Sequence, residues 1–521
     1  MRGAIAAGHP LTAEAGARVL AEGGTAVDAC IAAAFASWVA ESTLTGPGGG
    51  GFMLVHRARD ASTRLLDFFV TVPGFGERAG EGHELEAVDV EFTPESSQVF
   101  RIGAASCAVP GAAAGLEAAH RAFGSLPWRE LVRPAADLAR AGVVLTEAQA
   151  HLHALLDVIL RHTDEGRAVY SRDGRRLLAG DVLVLGDLAE TLEMVGERGA
   201  RDLYEGELAA AIVNHVREHG GRITPRDLAA YRVIKRRPVT ARFLEHELAS
   251  NPPPSTGGVL VAYGLGLVDR VGAGGAPGSA EAIALLVEVM REQARARDAR
   301  FARGLYRGGL AASLLDPARL AAAAERFGGQ VPAGREPATA RGTTHISVVD
   351  EDGNAASLTA STGSGSGVVV PGTGIHLNNM LGEFDLRHEG GAQRAGRRMT
   401  SMMAPSLVLQ GGRPRLVVGS AGSLRLRGAI LQIAVNVVAH GLPVEEAIGR
   451  PRVHFEEPDV HCEGGHDPDE LRRLEELGYD VVRWRRRNLY FGGAAAVEVR
   501  PDGTLAAAGD PRRGGHAVVV E

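Results

Sequence analysis

Residues 343–349 and 355–361 form two seven-residue runs rich in strand-forming side chains, joined by the turn cluster Asp350-Glu351-Asp352-Gly353-Asn354. This pattern predicts a β-hairpin, and a hairpin symmetric about Asp352 sets Thr343 opposite Ser361. Directly paired residues have Cβ atoms about 5 Å apart on one sheet face, so two hydroxyls would lie side by side. A one-residue slip would undo this. The bond before Thr343 matters because a threonine hydroxyl alone is a poor nucleophile. An amino-terminal threonine carries an α-amine with a pKa of about 7.7–8.0, so breaking the Gly342–Thr343 bond would place nucleophile and base on one residue. Gly342 is expected to permit the strained dihedrals that an N-to-O acyl shift demands.

A chain of 521 residues has room for two or three average domains or one large α/β sandwich, and 45% hydrophobic content supports a large core. Its net charge of −7 argues against a nucleic-acid partner, which calls for a basic face. The single lysine, Lys235, follows Ile234 and so cannot complete a phosphate-binding Gly-Lys pair. Cys30, Cys107 and Cys462 lie far apart, without metal-ligand or disulfide-scaffold spacing, so neither a disulfide scaffold nor a structural metal is expected, and the threonine chemistry above implies no metal or organic cofactor. The apolar stretches near 26–40 and 430–438 are too short or interrupted to span a bilayer, and residues 1–9 hold no signal-peptide core. The expectation is a cytoplasmic protein without a membrane partner.

Residues 11–20 read as a helix ended by Gly23-Gly24, 27–40 as a buried helix, and 52–55 and 65–70 as strands. The stretch 111–329 reads as mostly helical, with Lys235-Arg236-Arg237 as a solvated basic run. Residues 331–342 read as an exposed linker. Strands are expected at 406–409, 415–418, 494–499 and 517–520, and helices at 427–440 and 468–477.

The Thr343-Thr344-His345 strand, the Asp352-Gly353-Asn354 turn and the following glycine-rich loop resemble the γ-glutamyltransferase (γ-glutamyltranspeptidase) family of N-terminal-nucleophile hydrolases. Further landmarks occur in the family's order: residues 24–29 (GTAVDA), Gly48-Gly49-Gly50-Gly51-Phe52-Met53, Val109-Pro110-Gly111, 227–231 (DLAAY), Pro252-Pro253-Pro254-Ser255, Leu377-Asn378-Asn379 and Asp510-Pro511-Arg512. The resemblance implies a four-layer αββα sandwich built jointly from two autoprocessed fragments, 1–342 and 343–521, that stay associated as a heterodimer. It also implies Thr343 as nucleophile, Ser361 as the second hydroxyl beside it, and the backbone of Gly422 and Ser423 as oxyanion donors. Ser423 stands where a second glycine is usual. His345 and His376 are expected to be structural.

Departures from the family pattern cluster on the groups that hold a glutamyl moiety. Phe69 replaces the arginine that grips the α-carboxylate. Of a serine pair, Ser401 remains and Met402 follows, Glu383 stands for an aspartate that meets the α-amino group, and Gly363 replaces an asparagine. Phe69 and Met402 together are expected to make the pocket more apolar, with Arg397, Arg398 or Arg425 as alternative sources of positive charge. The segment 385–396, where relatives carry a lid, is short and favours hydrolysis. The expected reaction is amide cleavage through an acyl-enzyme, with a small-molecule acyl donor and water or an amine as acceptor. Alternatives are C–C bond hydrolysis as in homologues from 4-alkylproline antibiotic pathways, a cephalosporin- or glutaryl-acylase-like activity, and a non-catalytic scaffold.

Overall fold

The computed structural model describes residues 1–76, 84–93, 96–327, 342–383, 386 and 394–521. Most of the expected linker (331–341) and most of the segment 385–396 lie outside the described residues. Two large sheets dominate. Counting only their strands, these are β1 (Gly3–Ala7), β2 (Gly50–Arg57), β3 (Ser62–Phe68), β4 (Ile234–Arg236), β5 (Val239–Phe243), β6 (His246–Ser250), β7 (Gly342–Asp350), β8 (Ala355–Gly363), β9 (Ser406–Gln410), β10 (Arg413–Ala421), β11 (Gly493–Val499), β12 (Leu505–Gly509) and β13 (His516–Val520). The first sheet runs β4-β3-β2-β8-β7-β1-β13 and the second β5-β6-β9-β10-β11-β12.

The layering follows from side chains alternating between strand faces. Ala4, Phe52, Leu54 and Val349 of the first sheet meet Leu407, Val417, Ala495 and Val497 of the second in one dry cluster between the sheets. Their neighbours Ile5, Met53, Val55 and Val348 point the other way, toward helices α1 (Pro10–Ala21) and α2 (Ala26–Ala40). Leu248, Val408, Leu416 and Val418 do the same on the second sheet, toward α3 (Gly257–Val271) and α4 (Arg425–Ala434). The result is the expected αββα sandwich.

All fifteen residues of α2 are buried, which explains its apolar run. Thr25 caps it by accepting from Asp28 N, while the Asp28 carboxylate accepts from Thr25 N. Strands β4 to β6 interrupt the stretch 111–329, which reads as mostly helical. Lys235 is exposed on the edge strand β4, and Arg236 beside it reaches the buried Asp67 carboxylate at 2.8 Å, so a basic run conceals a strand. The sheet interleaves both sides of Gly342: β1 lies between β7 and β13, and β2 lies beside β8. With β6 paired to β9 in the second sheet, parts cut there would remain hydrogen-bonded along four strand borders.

Candidate active site

The hairpin is symmetric about Asp352 from Val349↔Ala355 to Thr344↔Ala360, as expected. The Asp350 carboxylate closes its turn by accepting from Asp352 N and Asn354 N, and pins it to α2 through Ala26 N. Beyond Thr344 the register shifts and Gly342 pairs with Gly363, leaving Thr343 in a bulge rather than directly opposite Ser361. The bulge aims both hydroxyls at one carbonyl. Thr343 Oγ1 donates to Gly342 O at 2.7 Å and Ser361 Oγ donates to the same oxygen at 2.5 Å. Gly363 N donates to Ser361 Oγ at 2.8 Å, which leaves the Ser361 proton for that carbonyl. Gly342 is needed for space and not for unusual dihedrals: its φ is not positive, but an added Cβ would sit 2.6 Å from Gly363 O.

Two groups beside this bulge were not anticipated. Arg513 Nη1 donates to Thr343 O at 3.4 Å, and the Glu41 carboxylate accepts from Thr344 Oγ1 at 2.5 Å and Thr12 Oγ1 at 2.8 Å. Burial holds Glu41 above the usual carboxylate range and pushes the Arg513 guanidinium down to about 10, so it stays charged at neutral pH. A carboxylate directly after an almost wholly apolar helix was the signal for Glu41. Arg513 directly follows the Asp510-Pro511-Arg512 landmark. His345 on β7 shares its ring nitrogens with Thr359 Oγ1 and Ser347 Oγ at 2.8 and 2.9 Å, and burial pushes its pKa down to about 3. His376, pushed to about 4 by burial, accepts from Gly367 N. Both rings are neutral at physiological pH.

The segment 419–423 ends β10 and turns into α4. Gly422 has φ +120° and Ser423 φ +57°, so Ser423 adopts the left-handed conformation without being glycine. The turn packs on Gly492, whose Cα lies 3.0 Å from where a Gly422 Cβ would be. Ala421 pairs with Gly493, an added Cβ at Gly493 would strike Arg513, and Arg513 reaches Thr343 O. This chain of contacts joins the 419–423 turn to the bulge.

Around the acyl side, Gly363 (φ +74°) lies against two polar groups: an added Cβ would sit 2.2 Å from Asn379 Oδ1 and 3.1 Å from Glu383 Oε1. Glu383 and Asn379 thus lie next to the end of β8 that carries Ser361. Phe69 is buried and stacked on Phe52 at 5.5 Å, in the inter-sheet cluster with Met380, Leu381, Met399 and Met403. Met402 belongs to the opposite cluster under α3, where Thr256 Oγ1 donates to its sulfur at 2.7 Å. The two thus sit in different apolar clusters. Ser401 Oγ accepts from Met403 N at 3.1 Å, and its carbonyl anchors the start of α3 through Thr256 N at 2.8 Å.

The arginines considered as substitutes for the missing clamp have other partners. Arg398 is ion-paired to Asp67 at 3.1 Å and donates to Tyr231 Oη, Phe69 O and Arg232 O. Arg397 stacks on Tyr306 at 3.5 Å and Arg425 on Tyr490 at 4.2 Å. Among the described residues no group of three or more His, Cys, Asp or Glu side chains has metal-ligand geometry, and no helix is long and apolar enough to cross a membrane.

An αββα sandwich whose inner strand begins with hydroxyls converging on one peptide carbonyl is the architecture of an N-terminal-nucleophile hydrolase. The chain belongs to the gamma-glutamyltranspeptidase family, whose sequence profile matches residues 12–520. It is 32% identical to the glutathione hydrolase proenzyme of Escherichia coli (strain K12), covering 98% of this chain and 90% of the relative. It is also 32% identical to the acylase ACY 1 proenzyme of Pseudomonas sp. (strain V22), covering 100% and 94%. The crystal structure of cephalosporin acylase from Bacillus halodurans superposes with a TM-score of 0.85 at 25% identity, over 100% of this chain and 96% of that one.

Proposed function

We propose that the chain cleaves itself between Gly342 and Thr343 and then acts as an amidohydrolase or acyltransferase with Thr343 as nucleophile. The observation that carries this reading is the convergence of Thr343 Oγ1 and Ser361 Oγ on the Gly342 carbonyl. In self-cleavage Thr343 Oγ1 attacks the Gly342 carbonyl carbon, the C–N bond breaks, and the nitrogen takes the proton to become an α-amine. Water then hydrolyses the ester. In turnover the same hydroxyl attacks the donor's acyl carbon and gives its proton to the amine, which passes it to the leaving nitrogen. Ser361 and the backbone N–H groups at Gly422 and Ser423 are assigned to the oxyanion. Water or an amine then takes the acyl group.

The donor is proposed to be an amide whose acyl chain needs no carboxylate clamp. Relatives include both glutathione hydrolases and acylases, and this chain has Phe69 where a clamping arginine is expected and Arg398 committed to Asp67. Glu383 beside Gly363 keeps an acidic group that suits an amino substituent on the acyl chain. The test is mass spectrometry of the purified protein with γ-glutamyl, glutaryl and uncharged acyl anilides. The reading expects a fragment starting at Thr343 that gains the acyl mass, with the γ-glutamyl donor giving no preference. An intact chain that never gains mass refutes the reading.

A further inference from the structure

Arg513 comes from the short turn at Pro511–Arg513 and places a charged guanidinium on the carbonyl of Thr343, while its Nε is buried with no hydrogen-bond partner among the described residues. The surrounding charges do not cancel it. Behind it, Asp510 binds Arg452 at 2.7 Å and Arg512 at 3.1 Å, and Glu463 binds Arg512, so these two carboxylates are matched by two other arginines. From the end of α2, Glu41 faces the same bulge, where it contacts Thr344 and Thr12; burial raises its pKa, and Arg513 acts on it in the opposite direction. On β7 itself His345 is neutral. His9, at the start of α1 next to Gly8, is held below its usual range by burial. Arg425 lies over Tyr490 on α4, and Glu383 lies beyond Gly363. Of these charged groups, Arg513 is the one that hydrogen-bonds Thr343 itself.

We propose that Arg513 is a positioning and tuning residue that keeps the liberated Thr343 α-amine in its free-base form at neutral pH. This rests on Thr343 being the new amino terminus. The carbonyl oxygen and nitrogen of one residue are about 3 Å apart, which puts the guanidinium within about 6–7 Å of the amine. A positive charge at that distance disfavours the ammonium by about one to two pH units at the effective dielectric of a partly buried site. Proton acceptance from Thr343 Oγ1 requires the unprotonated amine, so Arg513 extends activity toward lower pH.

The experiment first confirms by amino-terminal sequencing that the enzyme carries a chain starting at Thr343; its absence sinks the proposed function and leaves nothing to tune. The profile of kcat/KM against pH is then recorded for wild type, Arg513→Met and Arg513→Lys, since its acidic limb reports the free enzyme's base. Arg513→Met should move that limb up by about one to two pH units, with activity recovering at high pH, whereas Arg513→Lys should leave it in place. A fold defect lowers the whole profile without moving the limb. An unmoved limb in Arg513→Met overturns the proposal. If Arg513→Met is not processed, the pH dependence of carbamylation of wild-type Thr343 by cyanate decides. A midpoint below the ordinary range of about 7.7–8.0 supports tuning, and one within or above it overturns it.

Discussion

Replacing Ser361 by alanine tests the bulge most directly, because the Ser361 hydroxyl has two separable roles. It donates to Gly342 O at 2.5 Å and accepts from Gly363 N at 2.8 Å. When Thr343 Oγ1 attacks the Gly342 carbonyl, negative charge gathers on that oxygen. The Thr343 hydroxyl is consumed as nucleophile, so Ser361 is the side-chain donor that remains. Losing one such donor costs about 3–4 kcal/mol, or roughly a 10²–10³-fold slower reaction. The orphaned Gly363 N–H separately costs about 1–3 kcal/mol of stability, which a melting curve reads. The assay follows the appearance of the fragment 343–521 on denaturing gels after rapid purification. If wild type finishes in about an hour, Ser361→Ala should need days to weeks while remaining folded, and Ser361→Thr should recover most of the rate. Ser361→Ala processing at the wild-type rate would refute the assignment, since no weaker role survives a hydrogen bond to the reacting oxygen.

Other outcomes follow from the same geometry. Thr343→Ala should stay a single 54.5 kDa chain without activity, and Thr343→Ser should still process, both read by gel and amino-terminal sequencing. Ser423→Gly should raise stability by about 1 kcal/mol in denaturant titration by removing a side chain from φ +57°, with the oxyanion donor retained. Arg398→Met should lower stability by about 3–5 kcal/mol, because the Asp67 carboxylate, at 0% side-chain exposure, loses one of its two arginine partners. Acid should destabilise the fold through His345 and His376. Above pH 6.5 neither state carries the proton, but below it the unfolded chain takes protons that the folded chain refuses until about pH 3 and 4. Stability should therefore fall by up to about 1.4 kcal/mol per histidine per pH unit over that window, and His345→Gln should flatten the slope.

Much of the architecture was legible because local patterns and tertiary demands agree. The unbroken apolar run Phe52-Met53-Leu54-Val55 announces a strand with two buried faces, and the Asp350 to Asn354 cluster announces the turn whose symmetry axis the structure keeps. The strand around Lys235 was not legible, since its pairing depends on Asp67 far away in the chain and its side chains advertise solvent. The bulge at Thr343 escaped for a related reason. A sequence states which residues alternate, but a register shift is set by where Gly363 and Arg513 arrive, and both are placed by long-range packing.

The same distinction separates residue identity from residue direction at the acyl side. Phe69 and Met402 are both large, apolar and at positions where the family resemblance implies polar groups, so composition alone suggests a joint greasy pocket. The structure puts them in different layers: Phe69 faces the inter-sheet layer against Phe52, and Met402 faces α3 against Thr256. A single substitution should then act on one side only. Met402→Ser should cost about 2–4 kcal/mol of core packing with the donor preference unchanged, as its neighbours are helix residues and not the cleft. If Met402→Ser instead changed the ranking of acyl anilides at full stability, the assignment of that side chain to the α3 layer would be wrong, and the apolar pocket would have to be rebuilt around both residues.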